Sequence, residues 1–572
     1  MAKNNYTKNY AGLIVTHKAG SSDLFKATSS KKIEGLDFQV SHTFGADLPS
    51  GLFKAGASQG TVLMEADQAH LDTFNPWDLA HAAKNADPAI SFVEPDLIMK
   101  AQAPGAKKSS PETLFKGTGS NRCTPSTAYD NFWPKPDKPM VWHLGDDFSQ
   151  LGSARASFIP ENDVVIVHLD TGYTEGHSLL PLNILKQYEV NFADDEGQIN
   201  SAVDICNDGF GNQVAHGTGT ICILAGNKLI LNGKEIILGG APEAKILPIR
   251  ISPTVVLLKT SALVRALDYI LKLADSDKGL VADVISMSMG GLASKEWARA
   301  VNQIYDKGIF MVTAAGNNMG GKTPTHLVYP ARFNRVVAAC GVTYNQDQYY
   351  RNILGFEMMG NFGPDRLMHT AMAAYTPNIP WAKGCCDVKD IFDMDGAGTS
   401  SATPQIAAAA ALYINHYKKE LKYFTGWRKV EAVRYALFTA ANDINNTGAD
   451  SFKYFGQGIL KAKDALDIAP DLTKLAMSPV DKVSFPLFQV LFMAKAASDE
   501  SKMEMYQLEI LQLMSNNYEL QLIMGNQESF LDLDTASKKN FIDALIGSPN
   551  ASIVLKAFLK DNYAMLTRAT TN

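Results

Sequence analysis

The sequence predicts an α/β protein: a three-layer fold around a mainly parallel sheet, a small α/β N-terminal unit before it and a helical C-terminal module after it. Three observations predict this. Between about 140 and 468, short continuous apolar runs alternate with helical patterns, as in sheets buried on both faces. Before about 100, apolar–polar alternation surrounds one short helix. After Pro470, Pro479 and Pro486 only helical periodicity follows.

In the N-terminal unit (1–100), Gly12-Leu13-Ile14-Val15 and Gly60-Thr61-Val62-Leu63-Met64 read as strands. A helix is expected from Asp78 to Ala86, opened by Pro76 and closed by Asp87-Pro88, and a short strand Ile90–Val93 ends at Glu94-Pro95-Asp96. Residues 101–139, rich in Pro, Gly, Ser, Thr and Lys, read as a linker. In the central domain (140–468), the buried strands are Val164–Val167, Lys245–Ile249, Val284–Met287 and Ile309–Val312. Helices are expected over 261–273 and 295–307, with polar residues gathered where strands end. The C-terminal module (469–572) reads as helices over 503–514, 517–524, 535–546 and 552–566.

Composition excludes several classes. The 572 residues are 46% hydrophobic and 20% charged, so a disordered chain is excluded. A net charge of −6 with scattered Lys and Arg argues against a nucleic-acid partner. No run reaches the length of a membrane span, and no signal-peptide core follows the polar start Met1–Tyr10. The 6 cysteines (Cys123, Cys206, Cys222, Cys340, Cys385, Cys386) show no repeated spacing, and a bond between adjacent Cys385 and Cys386 would be strained. A reducing cytoplasm is the expected location, with secretion without a signal peptide as the second reading.

Three segments at the edges of elements carry chemistry: His168-Leu169-Asp170-Thr171-Gly172, His216-Gly217-Thr218-Gly219-Thr220 and Gly398-Thr399-Ser400-Ser401-Ala402-Thr403-Pro404. Each alone has an ordinary structural explanation: a turn, a cap or surface histidine, and a helix N-cap. Asp-Thr-Gly also marks aspartic proteases, but these need a second such carboxylate, and the sequence has one Asp-Thr-Gly only. Together, in the order Asp, His, Ser, the segments specify a nucleophilic triad. A hydroxyl needs a base to take its proton, imidazole does so near neutral pH, and a buried carboxylate fixes the imidazole's tautomer. A serine at a helix N-terminus also offers a developing oxyanion a nearby amide.

These segments closely resemble the Asp, His and Ser signatures of the subtilisin family of serine proteases. A fourth segment, Ala314-Ala315-Gly316-Asn317-Asn318, resembles the family's oxyanion motif, and Ser286-Met287-Ser288-Met289-Gly290-Gly291 is similar to its substrate-lining strand. Further likenesses lie at Gly239–Pro242, Tyr329–Arg332 and Gly456–Ile459, so the resemblance covers roughly 140–468. It implies a subtilisin-like three-layer fold and serine endopeptidase activity through Asp170, His216 and Ser400. Asn317 would be the oxyanion donor, and Ser288, Met289, Gly290, Ala315 and Gly316 would bind substrate. Two departures stand out: Gly219 where the family often has a second His, and Ser401 after the nucleophile where it often has Met. Ser401 is the alternative nucleophile.

Pro76-Trp77-Asp78 with its helix, followed by Phe92–Asp96, resembles the end of the propeptides preceding many bacterial subtilisins, which assist folding and occupy the cleft. This implies that the protein's own N-terminal unit is a partner of its cleft, with polypeptides as substrates; an ordinary accessory domain is the alternative, and the sequence does not fix a cut in the linker. No cofactor or metal is expected. Asp194-Asp195-Glu196, Asp204 and Asp208 read as a solvated acidic loop rather than a calcium site, and the cysteines lack zinc spacing. The apolar side chains Met503, Met505, Leu508, Ile510, Leu511, Leu513 and Met514 read as core packing, with a protein partner at the C-terminal helices as the alternative. A narrow processing protease recruiting one partner there, and a catalytically silent binding protein, are the competing functions.

Overall fold

Seven parallel strands form the central sheet in a computed structural model of the chain. The structure describes residues 10–18, 29–44, 60–67, 71–98, 139–193, 197–206, 215–231, 233–255, 258–275, 279–319, 326–353, 356–385, 391–442, 451–485 and 500–568. The expected linker, the Asp194–Glu196 run, Asp208, Cys123 and Cys386 lie outside the described residues.

The N-terminal unit is a five-stranded antiparallel sheet of β1 (Tyr10–His17), β2 (Ser30–Ile33), β3 (Leu36–Phe44), β4 (Gly60–Glu65) and β5 (Ile90–Leu97), in the order β2-β3-β4-β1-β5. Helix α1 (Pro76–Ala86) precedes β5. Asn75 Oδ1 caps α1 by accepting from Trp77 N (2.9 Å) and Asp78 N (3.2 Å), and Pro76 presets its first turn.

The central sheet comprises β6 (Val165–Asp170), β7 (Val190–Asn191), β8 (Lys245–Arg250), β9 (Val284–Met287), β10 (Phe310–Ala314), β11 (Val337–Val342) and β12 (Ala371–Tyr375), in the order β12-β11-β10-β9-β6-β8-β7. Strands β6 and β9 are wholly buried, which is why they read as mainly apolar runs. Helix α2 (His216–Ala225) and the 18-residue α5 (Thr399–His416) cover one face, and α3 (Thr260–Asp275) and α4 (Lys295–Lys307) cover the other. Ala407 to Ala411 lie almost without exposure along α5, and such small side chains let it approach α2 and the sheet closely.

Strand β5 runs to Leu97, four residues beyond the expected end at Val93. Its two carboxylates do not turn to solvent. Glu94 accepts from Ser294 Oγ (3.1 Å), Lys295 N (3.1 Å) and Glu296 N (3.0 Å) at the start of α4. Asp96 accepts from Ser261 N and Oγ (2.7 Å each) in the first turn of α3. The largely buried N–H groups that begin these two helices thus find acceptors in the N-terminal unit. Burial pushes Glu94 up to about 8 and Asp96 up to about 6. Beyond them Ile98 bridges antiparallel to Lys259.

The C-terminal helices α6 (Glu500–Asn516), α7 (Tyr518–Met524), α8 (Thr535–Gly547) and α9 (Ile553–Asp561) share one apolar core with the N-terminal unit, α3 and α4. Gln512 spans all three units: its Oε1 accepts from Trp77 Nε1 (2.9 Å) and its Nε2 donates to Ala293 O (2.7 Å). The expected helix 552–566 is instead α9 and a short turn Tyr563–Leu566, broken at Asn562. No helix among the described residues is long and apolar enough to cross a membrane.

Candidate active site

The site forms where β6 ends and where α2 and α5 begin, at the carboxyl edge of the parallel sheet. Strand β6 carries Asp170 to that edge fully buried. Ala215 takes a left-handed φ of +61° just before α2, a turn that delivers His216 onto the first helical position. His216 Nδ1 then lies 2.8 Å from Asp170 Oδ1, which also accepts from Thr171 N (2.8 Å). Burial opposes ionisation of Asp170, yet the His216 ring and these hydrogen bonds hold its carboxyl below the usual range.

Ser400 opens α5 after Gly398, whose φ of +79° suits glycine. The Ser400 side chain is half-buried. Its Oγ donates to Ser288 O (3.2 Å), and Ser288 Oγ returns a bond to Ser400 O (2.9 Å), so the end of β9 is laced to the start of α5. Ser401 turns inward: it is fully buried and its Oγ pairs with Thr376 Oγ1 (2.9 Å) and Gly398 O (3.1 Å). A substrate carbonyl has no route to it.

Asn317 is exposed beside Ser400. Its Oδ1 accepts from Thr399 N (3.0 Å) and Thr399 Oγ1 (3.3 Å), which assigns the oxygen and leaves the amide nitrogen as donor. Gly316 precedes it with φ +104°, its carbonyl held by Asn361 N (2.9 Å). Ala315 is tied to Ala339 O (3.0 Å) and Val328 N (3.1 Å). Met289 is buried in the core, whereas Ser288 and Gly290 stay near the α5 start and Val328 respectively.

Several contributors escaped the sequence reading. Trp381 stands against His216 in a T-shaped contact with centroids 5.3 Å apart. A Cβ at Gly219 would meet the Trp381 ring at 2.0 Å, so the departure from the family's second His marks the space this ring fills. That departure was the available signal.

Asp204, expected in a solvated acidic loop, is buried and accepts from Ala215 N (2.7 Å) and Cys206 N (2.9 Å). It thereby anchors the turn before His216. Cys206 and Cys385 form a disulfide across 179 residues, with Cα atoms 5.3 Å apart, where the sequence reading assumed reduced thiols. That separation hides the pairing from any spacing rule. Asp204 and these two sulfurs form the one cluster of metal-capable groups among the described residues, and both sulfurs are spent on each other.

A buried Asp–His pair at a strand end and a serine at a helix N-terminus, on one parallel α/β scaffold, fit the serine hydrolase class. Comparison makes the class specific. The subtilase family profile matches residues 161–458, and the chain belongs to that family. It is a serine endopeptidase. Among similar proteins, subtilisin DY of Bacillus licheniformis is 27% identical over 42% of this chain and 75% of its own length. Thermitase of Thermoactinomyces vulgaris is 26% identical over 48% and 84%. A subtilase-type proteinase of Schizosaccharomyces pombe is 24% identical over 72% of each chain.

Proposed function

We propose that Ser400 is the nucleophile of a peptide hydrolase, with His216 as its proton shuttle and Asp170 as the group that orients His216. The observation that carries this reading is the buried 2.8 Å contact between His216 Nδ1 and Asp170 Oδ1, which leaves Nε2 as the free base. Ser400 Oγ rests on Ser288 O and must rotate toward Nε2 to react, a tightening expected when substrate binds. Attack on the peptide carbonyl passes the hydroxyl proton to His216. The Ser400 amide and Asn317 Nδ2 stabilise the oxyanion. His216 then protonates the leaving amine, and water, deprotonated by the same imidazole, releases the acyl group. The backbone of Ser288, Met289 and Gly290 would line one side of the bound peptide and that of Ala315 and Gly316 the other, since the Met289 side chain is buried in the core. No metal or other cofactor enters these steps.

The N-terminal unit acts in this reading as a resident folding aid and inhibitor, cut in the segment after Asp96. Its Glu94 and Asp96 contacts to α4 and α3 support the idea, as does the core it shares with them. Partner recruitment by the C-terminal helices gains no support, because Met503, Met505, Leu508, Ile510, Leu511, Leu513 and Met514 are all buried within the protein. The Cys206–Cys385 disulfide favours an oxidising compartment over the cytoplasm.

Labelling with a fluorophosphonate tests the assignment: the native chain should be labelled and Ser400→Ala should not. Labelling of neither chain would favour a silent binding protein. Digestion of casein against a panel of folded proteins separates a broad protease from a narrow processing enzyme.

A further inference from the structure

The second oxygen of Asp170, turned away from His216, is also occupied. Thr220 Oγ1 lies 3.0 Å from Asp170 Oδ2 and 2.8 Å from His168 Nε2. Thr220 is four residues after His216, so it hangs from the same side of α2 one turn on. His168 is two residues before Asp170, so both point to the same face of β6. The three side chains have relative exposures of 0%, 0% and 2% for Asp170, Thr220 and His168, and no solvent can substitute for these bonds.

Counting protons sets the direction. A carboxylate only accepts, and a hydroxyl has one proton to give. The competing acceptors for that proton, Gly217 O at 3.3 Å and His216 O at 3.5 Å, are neutral and farther away. The carboxylate takes it. Thr220 must then accept from His168, whose Nε2 carries the hydrogen. Burial pushes His168 down to about 4, so the ring is a neutral donor where the enzyme works. His168 Nε2 is 3.8 Å from Asp170 Oδ2, so its influence passes through the hydroxyl.

We propose that Thr220 and His168 are positioning residues of the triad, forming a hydrogen-bonded chain His168 → Thr220 → Asp170 that fixes the carboxylate on the side opposite His216. Without it, Asp170 Oδ2 is a buried acceptor with no partner. The carboxylate is then free to rotate away from His216, and more of its charge falls on Oδ1. The inference rests on Asp170 and His216 serving as the orienting carboxylate and the base.

The test is the pH profile of kcat and kcat/KM in Thr220→Val, Thr220→Ser, His168→Val, His168→Gln and the double variant Thr220→Val/His168→Val, each with its melting temperature. The expected result for Thr220→Val is a fall in kcat of roughly 10- to 100-fold at unchanged KM, the scale of one hydrogen bond to a charged group. The acid limb should also move to higher pH, because a carboxylate with one donor fewer favours the imidazolium. Thr220→Ser, which keeps the hydroxyl, and His168→Gln, whose amide nitrogen reaches the same donor place, should restore both. His168→Val should matter less once Thr220 is valine.

An unmoved acid limb and kcat in Thr220→Val with only a lowered melting temperature overturns the proposal. So does failure of Thr220→Ser to restore them. Should Thr220→Val not fold, His168→Val against His168→Gln reads the same limb, and the double variant removes the His168 donor that Thr220→Val alone would strand. Asp170→Asn separates the two levels: full activity there overturns the triad reading. Lost activity there with an unaffected Thr220→Val overturns only the chain of hydrogen bonds.

Discussion

The Trp381 ring meets the His216 ring edge-on at 5.3 Å and fills the space above Gly219. A ring in that place limits the tilt of the imidazole. Gly219 is therefore a packing requirement, since any side chain there collides with the indole.

The first prediction follows from that contact. Gly219→Ala should lower both melting temperature and kcat, and adding Trp381→Ala should recover part of the loss by removing the clash. Overpacking of this kind typically costs about 1–3 kcal/mol. Equal defects in the single and double variants would mean that Trp381 is not what forbids a side chain at 219.

Ser400→Ala should reduce turnover by about 10⁶, the scale measured for subtilisin's own triad, with the fold intact. Ser401→Ala should keep activity and lose some stability, since its hydroxyl serves Thr376 and Gly398. Fluorophosphonate labelling of both variants distinguishes the two serines, and retained labelling in Ser400→Ala would remove Ser400 from the nucleophile's place.

Asn317→Leu should lower kcat roughly 10²- to 10³-fold with little change in KM, again a subtilisin-derived scale for one oxyanion donor. A lowered melting temperature with normal kcat would instead make Asn317 only an anchor for Thr399.

Glu94 gives a pH dependence with a defined sign. Its pKa is raised from the ordinary value to about 8 by burial against α4. A raised carboxyl pKa means the folded state binds the proton more tightly than the unfolded chain. The stabilisation is fully present below the unfolded value and is lost as pH rises through about 8. Glu94→Gln removes this titration. The melting temperature of the native chain relative to Glu94→Gln should fall between about pH 5 and pH 8 and then level off. A flat difference across that window would show Glu94 to be ionised throughout.

Autoprocessing gives the last prediction. The active chain should accumulate a nick between Asp96 and Trp142 that Ser400→Ala does not. Mass spectrometry after equal incubation reads the nick. The released N-terminal piece should co-elute with the rest on native gel filtration, because Gln512 and the shared core hold it from the C-terminal side. An uncut, fully active chain would make residues 1–100 an accessory domain.

The primary structure alone carried the parallel α/β scaffold and the three segments to which we assign the chemistry, for a local reason. Buried strands such as Val284–Met287 announce themselves as apolar runs, and chemistry at strand ends and helix starts is confined to stretches of five to seven residues. What surrounds those stretches was decided in three dimensions. Strands β2 and β3 carry polar residues on an exposed face and left no apolar run to read. The carboxylates Glu94 and Asp96 looked like the polar end of a strand until α3 and α4 supplied donors for them. Trp381, the Cys206–Cys385 bond and the His168–Thr220 pair reach the site from residues tens or hundreds of positions apart. Only folding brings those partners together, and burial then gives their contacts a strength that isolated polar residues in water do not have.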